Sequence, residues 1–174
     1  MGKIIRYISL FLISIILGLI VSRYLSLPKE KEKTNPIYQF QVKEAKEKIG
    51  KITIPKIDLE EYLYEIDSEE NTIEKNITIL KESSFPSILF LAAHSGEGKI
   101  AYFEQLDQLE INDEINLIMY QEKYTYIVKD IWEEKKTGYI HLNKEIENQL
   151  VLTTCSPQKK NYQLIINCIE KESH

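Results

Sequence analysis

The chain reads as mainly β, an antiparallel barrel with one or two short helices, preceded by an N-terminal transmembrane helix. Three observations predict this. Short apolar or alternating runs recur from Ile49 to the final strand and are separated by polar turns. No strand–helix–strand alternation marks a parallel, doubly wound sheet. The first 25 residues are apolar enough to span a bilayer.

Residues 1–27 form the expected anchor. Tyr7 to Val21 is interrupted only by Ser9, Ser14 and Gly18, with Lys3 and Arg6 before it and Tyr7 and Tyr24 at interfacial positions. A cleaved signal peptide is the rival reading, and Val21-Ser22-Arg23-Tyr24 is a poor cleavage site. Residues 28–36 are a charged linker without a core-forming residue before Ile37. Residues 37–174 form the folded domain. Ile37 to Lys48 has helix formers for a lead-in helix. Ile49 to Ile57 then alternates and closes at Pro55, which predicts a first strand. Tyr62, Tyr64 and Ile66 predict a second, and Ile77 and Ile79 a third. The continuous run Ser87 to His94 predicts a central strand buried on both faces. Ile100, Phe103, Leu106 and Leu109 predict a short amphipathic helix. Glu114 to Tyr120 and Tyr124 to Trp132 predict a long hairpin, with Tyr124, Tyr126, Val128 and Trp132 on one face. Gly138 to Glu147 reads as loop or helical turn. Leu150 to Cys155 and Gln163 to Ile166 predict a closing hairpin.

Charge excludes one class of partner. Residues 1–33 carry Lys3, Arg6, Arg23, Lys29, Lys31 and Lys33 against Glu30 and Glu32, net +4, within a chain of net −5. The remainder is therefore at −9, and an acidic body does not suit nucleic acid, whose phosphates need a basic face. The basic leader suits an anionic membrane surface, with the body exported to the outer face.

The chemistry gathers at two strand ends. Cys155 stands where an apolar strand meets a polar loop, and His94 ends the Ser87 strand before a glycine turn. A cysteine nucleophile needs a histidine in reach, which only the fold can supply across this sequence distance. A free cysteine is more often an inert core residue, so the polar neighbours Thr153, Thr154 and Ser156 are what shift the reading. Cys168 falls five residues beyond Gln163 and, by strand parity, faces the opposite way. It reads as packing; a Cys155–Cys168 disulfide is conceivable in an exported protein but disfavoured by the same parity. His94, His141, His174 and the two cysteines show no metal-ligand spacing, so no metal is expected.

These segments resemble the sortases, membrane-anchored cysteine transpeptidases of Gram-positive bacteria. The resemblance lies in Ile49-Gly-Lys-Ile-Thr-Ile-Pro-Lys-Ile57, in Leu91-Ala-Ala-His94-Ser-Gly96, in Phe103 to Ile115, and in Leu152-Thr-Thr-Cys155, which keeps the last two positions of the family's Thr-Leu-x-Thr-Cys signature. It covers roughly residues 49–170 together with the anchor. The short extent and single anchor look closest to the class D-like group.

The resemblance implies a sortase-like barrel. In it the Cys155 thiolate attacks a surface protein's sorting signal of the Leu-Pro-x-Thr-Gly type, and His94 protonates the departing amine. A cell-wall or pilin amine then resolves the thioester. It implies no organic cofactor. Thr153, Thr154, Ala93 and Ser95 are expected to line the substrate groove. The family's arginine at the start of the last strand is replaced by Gln163, and the only arginines, Arg6 and Arg23, flank the membrane segment. Gln163 would then hold the oxyanion with a neutral amide, with Lys159 or Lys160 as sources of charge. Two other readings stay open: a sortase-fold pseudoenzyme that binds sorting signals without cleaving them, and an exported cysteine hydrolase on another fold.

Overall fold

The structure is a computed structural model that describes residues 48–142 and 146–171. The expected anchor (1–27), linker (28–36) and the body of the lead-in helix lie outside the described residues. Among the described residues no helix is long and apolar enough to cross a membrane.

Eight strands make one sheet: β1 (Lys48–Ile54), β2 (Leu59–Tyr64), β3 (Thr78–Ile79), β4 (Ile88–Ala92), β5 (Glu114–Met119), β6 (Glu122–Lys135), β7 (Gln149–Cys155) and β8 (Tyr162–Glu170). Their lateral order is β2-β1-β5-β6-β8-β7-β4-β3. The end strands β2 and β3 approach each other without laddering, so the sheet rolls into a nearly closed barrel. Inside lies one apolar core that includes Ile52, Leu63, Leu91, Leu117, Tyr126 and Leu152.

Local chemistry explains the joints. Pro55 ends β1 in a short 3₁₀ turn, Pro55–Ile57, and Asp58 follows in the left-handed region with φ 50°. Tyr120 and Gln121 link β5 to β6 with φ of 50° and 72°, the primed-turn geometry that suits the sheet's twist. A Cβ at Gly50 would lie 2.4 Å from the Ile118 carbonyl oxygen, so only glycine lets β1 approach β5 this closely.

The observed elements correct four expectations. The barrel is not wholly antiparallel: β4 and β7 pair parallel, from Ile88 opposite Gln149 to Ala92 opposite Thr153. Continuous apolar runs suit such a pair, because each strand is flanked by neighbours and buried more deeply than a hairpin edge. The strand buried on both faces is β7, whose residues Gln149 to Thr154 are all buried, whereas in β4 Ile88 and Phe90 are partly exposed. The stretch 100–109 is not an amphipathic helix. It is a chain of three-residue turns around the 3₁₀ segment Leu106–Gln108, with Phe103 bonding back to His94 O and Ile100 left 41% exposed. Its apolar spacing is three, the 3₁₀ period, rather than 3.6. Finally, the ladder register slips between Val128 and Asp130. The extra residue reverses the alternation, so Ile131 rather than Trp132 packs against the core.

Candidate active site

The parallel pair determines where chemistry can occur. Parallel strands end at the same edge of the sheet, whereas an antiparallel pair would send its two C-termini apart. Ala92 is level with Thr153, and continuing that register by two residues sets His94 level with Cys155. Three hydrogen bonds hold the ends together beyond the ladder. Ala93 N donates to Thr153 O at 3.3 Å, Thr154 Oγ1 to Ala93 O at 2.8 Å, and Ser95 Oγ to Cys155 O at 3.0 Å.

Strand parity sorts the side chains. In β7, Leu150 and Leu152 enter the core, so Thr153 and Cys155 belong to opposite parity sets from them and lie on the outer face. In β8, Leu164, Ile166 and Cys168 enter the core and Gln163, directly across from Cys155, shares the thiol's face. Both cysteines are free; Cys155 is exposed and Cys168 is wholly buried. Burial pushes the Cys168 thiol far above its ordinary range, which leaves it inert at neutral pH.

Thr153, Thr154, Ala93 and Ser95 lie at this sheet edge. The Thr153 and Thr154 side chains are buried, and their hydroxyls donate to main-chain oxygens, Leu164 O at 3.2 Å and Ala93 O at 2.8 Å. Ala93 is buried too, while His94 and Ser95 are partly exposed. These contacts make the two threonines and Ser95 braces of the site's frame. Gln163 Nε2 donates to Glu134 Oε1 at 3.2 Å and to Tyr139 O at 3.4 Å. Its two amide hydrogens are thereby directed at the wall beside the thiol.

That wall is built around Glu134. Burial raises its carboxyl, but hydrogen bonds to His141 and Gln163 outweigh burial and hold it below the usual carboxylate range. His141 Nδ1 lies 2.9 Å from Glu134 Oε2, which folds the segment after β6 back over the outer face. Glu133, on the other side of the strand, is held low chiefly by its hydrogen bond with Ser156, just after the cysteine. Lys159 completes that second cluster at 3.2 Å from Glu133 Oε2.

The sequence reasoning missed Lys136. Its Nζ donates to Cys155 Sγ at 2.7 Å. Nothing in its position, in the run Glu133-Glu134-Lys135-Lys136, separates it from ordinary surface charge. Only the pairing of β6 with β8 carries it to the site. Among the described residues no group of three or more His, Cys, Asp or Glu side chains could hold a metal ion.

A family model described as "Sortase domain" matches residues 52–170. Solved structures share the fold. Sortase A from Corynebacterium diphtheriae is 22% identical, covering 82% of this chain and 72% of that one, with a TM-score of 0.62. A sortase C from Streptococcus pneumoniae is 24% identical, covering 73% of this chain and 69% of that one, at 0.64. Sortase C1 from Streptococcus agalactiae is 23% identical, covering 83% and 80%, at 0.62. No curated protein sequence matches the chain.

Proposed function

The chain belongs to the sortase family, and from that premise we propose that it is a cysteine transpeptidase acting on sorting signals of surface proteins. Transpeptidase chemistry in general comes with the family. The proposal adds the residues. Cys155, as thiolate, attacks the scissile carbonyl of a Leu-Pro-x-Thr-Gly-type peptide and forms a thioester. His94, as imidazolium, gives its proton to the departing amine, and a second amine from the cell wall or a pilin subunit takes the acyl group. The sortase C structure from Streptococcus pneumoniae is described in terms of pilin substrate specificity, which supports a pilin subunit as one class of substrate.

The observation that carries the reading is the parallel β4–β7 pair. It brings an exposed thiol level with a partly exposed histidine at one sheet edge and leaves the second thiol in the core. Gln163 belongs to the groove wall in this proposal. To serve an oxyanion it would have to exchange its bond to Glu134 or to Tyr139 O for one to substrate. Thr153, Thr154, Ala93 and Ser95 frame the groove through their main-chain contacts.

The same reading places the protein at the cell membrane through residues 1–27, with the barrel on the extracellular face. The decisive experiment is to trap the acyl-enzyme from a sorting-signal peptide and map it by mass spectrometry. An adduct on Cys155, abolished in Cys155→Ala, is expected. An adduct on Cys168, or turnover that survives Cys155→Ala, would refute the assignment.

A further inference from the structure

We propose that Lys136 is a catalytic residue of this site, an ammonium that holds the negative charge of the Cys155 sulfur and then that of the tetrahedral oxyanion. The inference rests on the acyl-transfer reading above and adds a group to it. Attack by a thiolate moves negative charge from sulfur to the carbonyl oxygen, and the largest rate gains come from donors already aimed at that charge. A neutral amide is a weak donor for the purpose, and both hydrogens of Gln163 already face Glu134 and the Tyr139 carbonyl. Both arginines of the chain, Arg6 and Arg23, precede the described residues. Lys159 is engaged by Glu133 at 3.2 Å and lies over the Tyr162 ring. Lys136 is different. Its Nζ contacts Sγ at 2.7 Å, and among the described residues no carboxylate is paired with it.

Its placement is built into the ladder. Lys135 is the last β6 residue, opposite Tyr162, and Lys136 N continues one step further by donating to Asn161 O at 3.0 Å. Glu134, Gln163 and Cys155 form one row across β6, β8 and β7. Lys136 lies two residues past Glu134, so alternation returns its side chain to that row's face. β6 and β7 stand two strand spacings apart, about 9–10 Å, a gap that a long side chain can bridge and a short one cannot. Anchoring by Glu134, Gln163 and His141 holds the stem from which Lys136 reaches.

In the reaction the sulfur's electron pair forms the C–S bond while the carbonyl pair moves to oxygen. Collapse of the intermediate returns that pair and expels the amine, which takes its proton from His94. Lys136 keeps its own protons throughout and acts only by charge and hydrogen bonding. A neutral lysine amine beside a thioester could do something else, accepting the acyl group by S-to-N transfer, and this alternative leaves a permanent mass on Lys136.

The test uses the full-length protein with Lys136→Met, Lys136→Arg and Lys136→Met/Gln163→Arg variants. Iodoacetamide, a neutral probe, should alkylate Cys155 of the wild type about three- to tenfold faster at pH 7 than Cys155 of Lys136→Met. In single-turnover cleavage of a Leu-Pro-x-Thr-Gly peptide, Lys136→Met should lower the rate constant about 10²-fold with little change in half-saturation. Lys136→Arg should stay within about tenfold of wild type, and adding Gln163→Arg should restore part of what Lys136→Met loses, because position 163 lies directly across from Cys155. Alkylation and cleavage by Lys136→Met at wild-type rates would overturn the proposal, as would an acyl adduct recovered on Lys136. A wild type that shows the alkylation difference yet cleaves no sorting peptide would instead refute the acyl-transfer reading and leave the thiol–ammonium contact standing.

Discussion

Two thiols thirteen positions apart meet opposite fates because β7 and β8 present alternate residues to opposite faces. Cys155 is in the exposed set and Cys168 is 0% exposed in the core. Native protein should therefore take up one equivalent of a thiol reagent, and the second only after denaturation; two equivalents on the native protein would contradict this placement. Cys168→Ala should cost about 1–2 kcal/mol in denaturant unfolding by leaving a small cavity, while peptide cleavage stays near wild type. Gln163 is the residue whose role the structure bends most. It shares the thiol's face, as strand parity requires, yet its amide donates to Glu134 and Tyr139 O. Gln163→Ala should reduce kcat/KM by about tenfold through a loosened wall, and Gln163→Glu should do more harm by setting a second carboxylate against Glu134. Equal kcat/KM in Gln163→Ala and wild type would remove it from the site.

At the scale of elements, the histidine edge depends on a strand only two residues long. β3 is held by Asn71, which is buried and donates to Ile66 O at 3.1 Å and Ile79 O at 3.0 Å, and accepts from Ile79 N at 2.7 Å. Asn71→Ala would strand these buried main-chain groups, and a loss of about 2–4 kcal/mol is expected by chemical denaturation. Amide exchange should quicken in β3 and β4 before β6 and β8, because Ile79 pairs with Leu91 in the strand that leads to His94. Exchange that quickens uniformly would show Asn71 to act on the whole barrel. Gly50 tests the opposite side. An alanine there meets the Ile118 carbonyl and the Met119 sulfur, so β1 must shift from β5 at about 1–3 kcal/mol. A Gly50→Ala protein of unchanged stability would mean that the bulge beside Lys48 absorbs the clash.

For the whole molecule, Glu133 and Glu134 link pH to the order of the site, since each carboxyl is held below its ordinary value by partners from other elements. A depressed folded value means that the stabilisation is present above the ordinary carboxylate range and lost as pH falls through the folded value. The segment after β6 should therefore stay docked at neutral pH and loosen in acid, read as lower amide protection at residues 136–142 relative to the intrinsic exchange rate at each pH. In Glu134→Gln that acid dependence should shrink; an unchanged profile would mean that other carboxylates set it. The sequence by itself determined the strand inventory, since alternation and continuous apolar runs follow from which faces are buried. It also determined that Cys168 points away from Gln163, because parity is a property of the strand alone; that Gln163 stands across from Cys155 is a matter of pairing. What it could not determine was pairing. Apolar runs such as Ser87 to His94 and Leu150 to Cys155 are compatible with either strand direction, and only the assembled sheet pairs them parallel. The same holds for Trp132, turned outward by one inserted residue at Lys129, and for the turns at 100–109, where a spacing of three suits the 3₁₀ period as well as one face of an α-helix. Lys136 was hidden for the same reason: its nearness to Cys155 arises from a ladder that joins residues nineteen positions apart, and long-range pairing energy leaves no local mark on the chain.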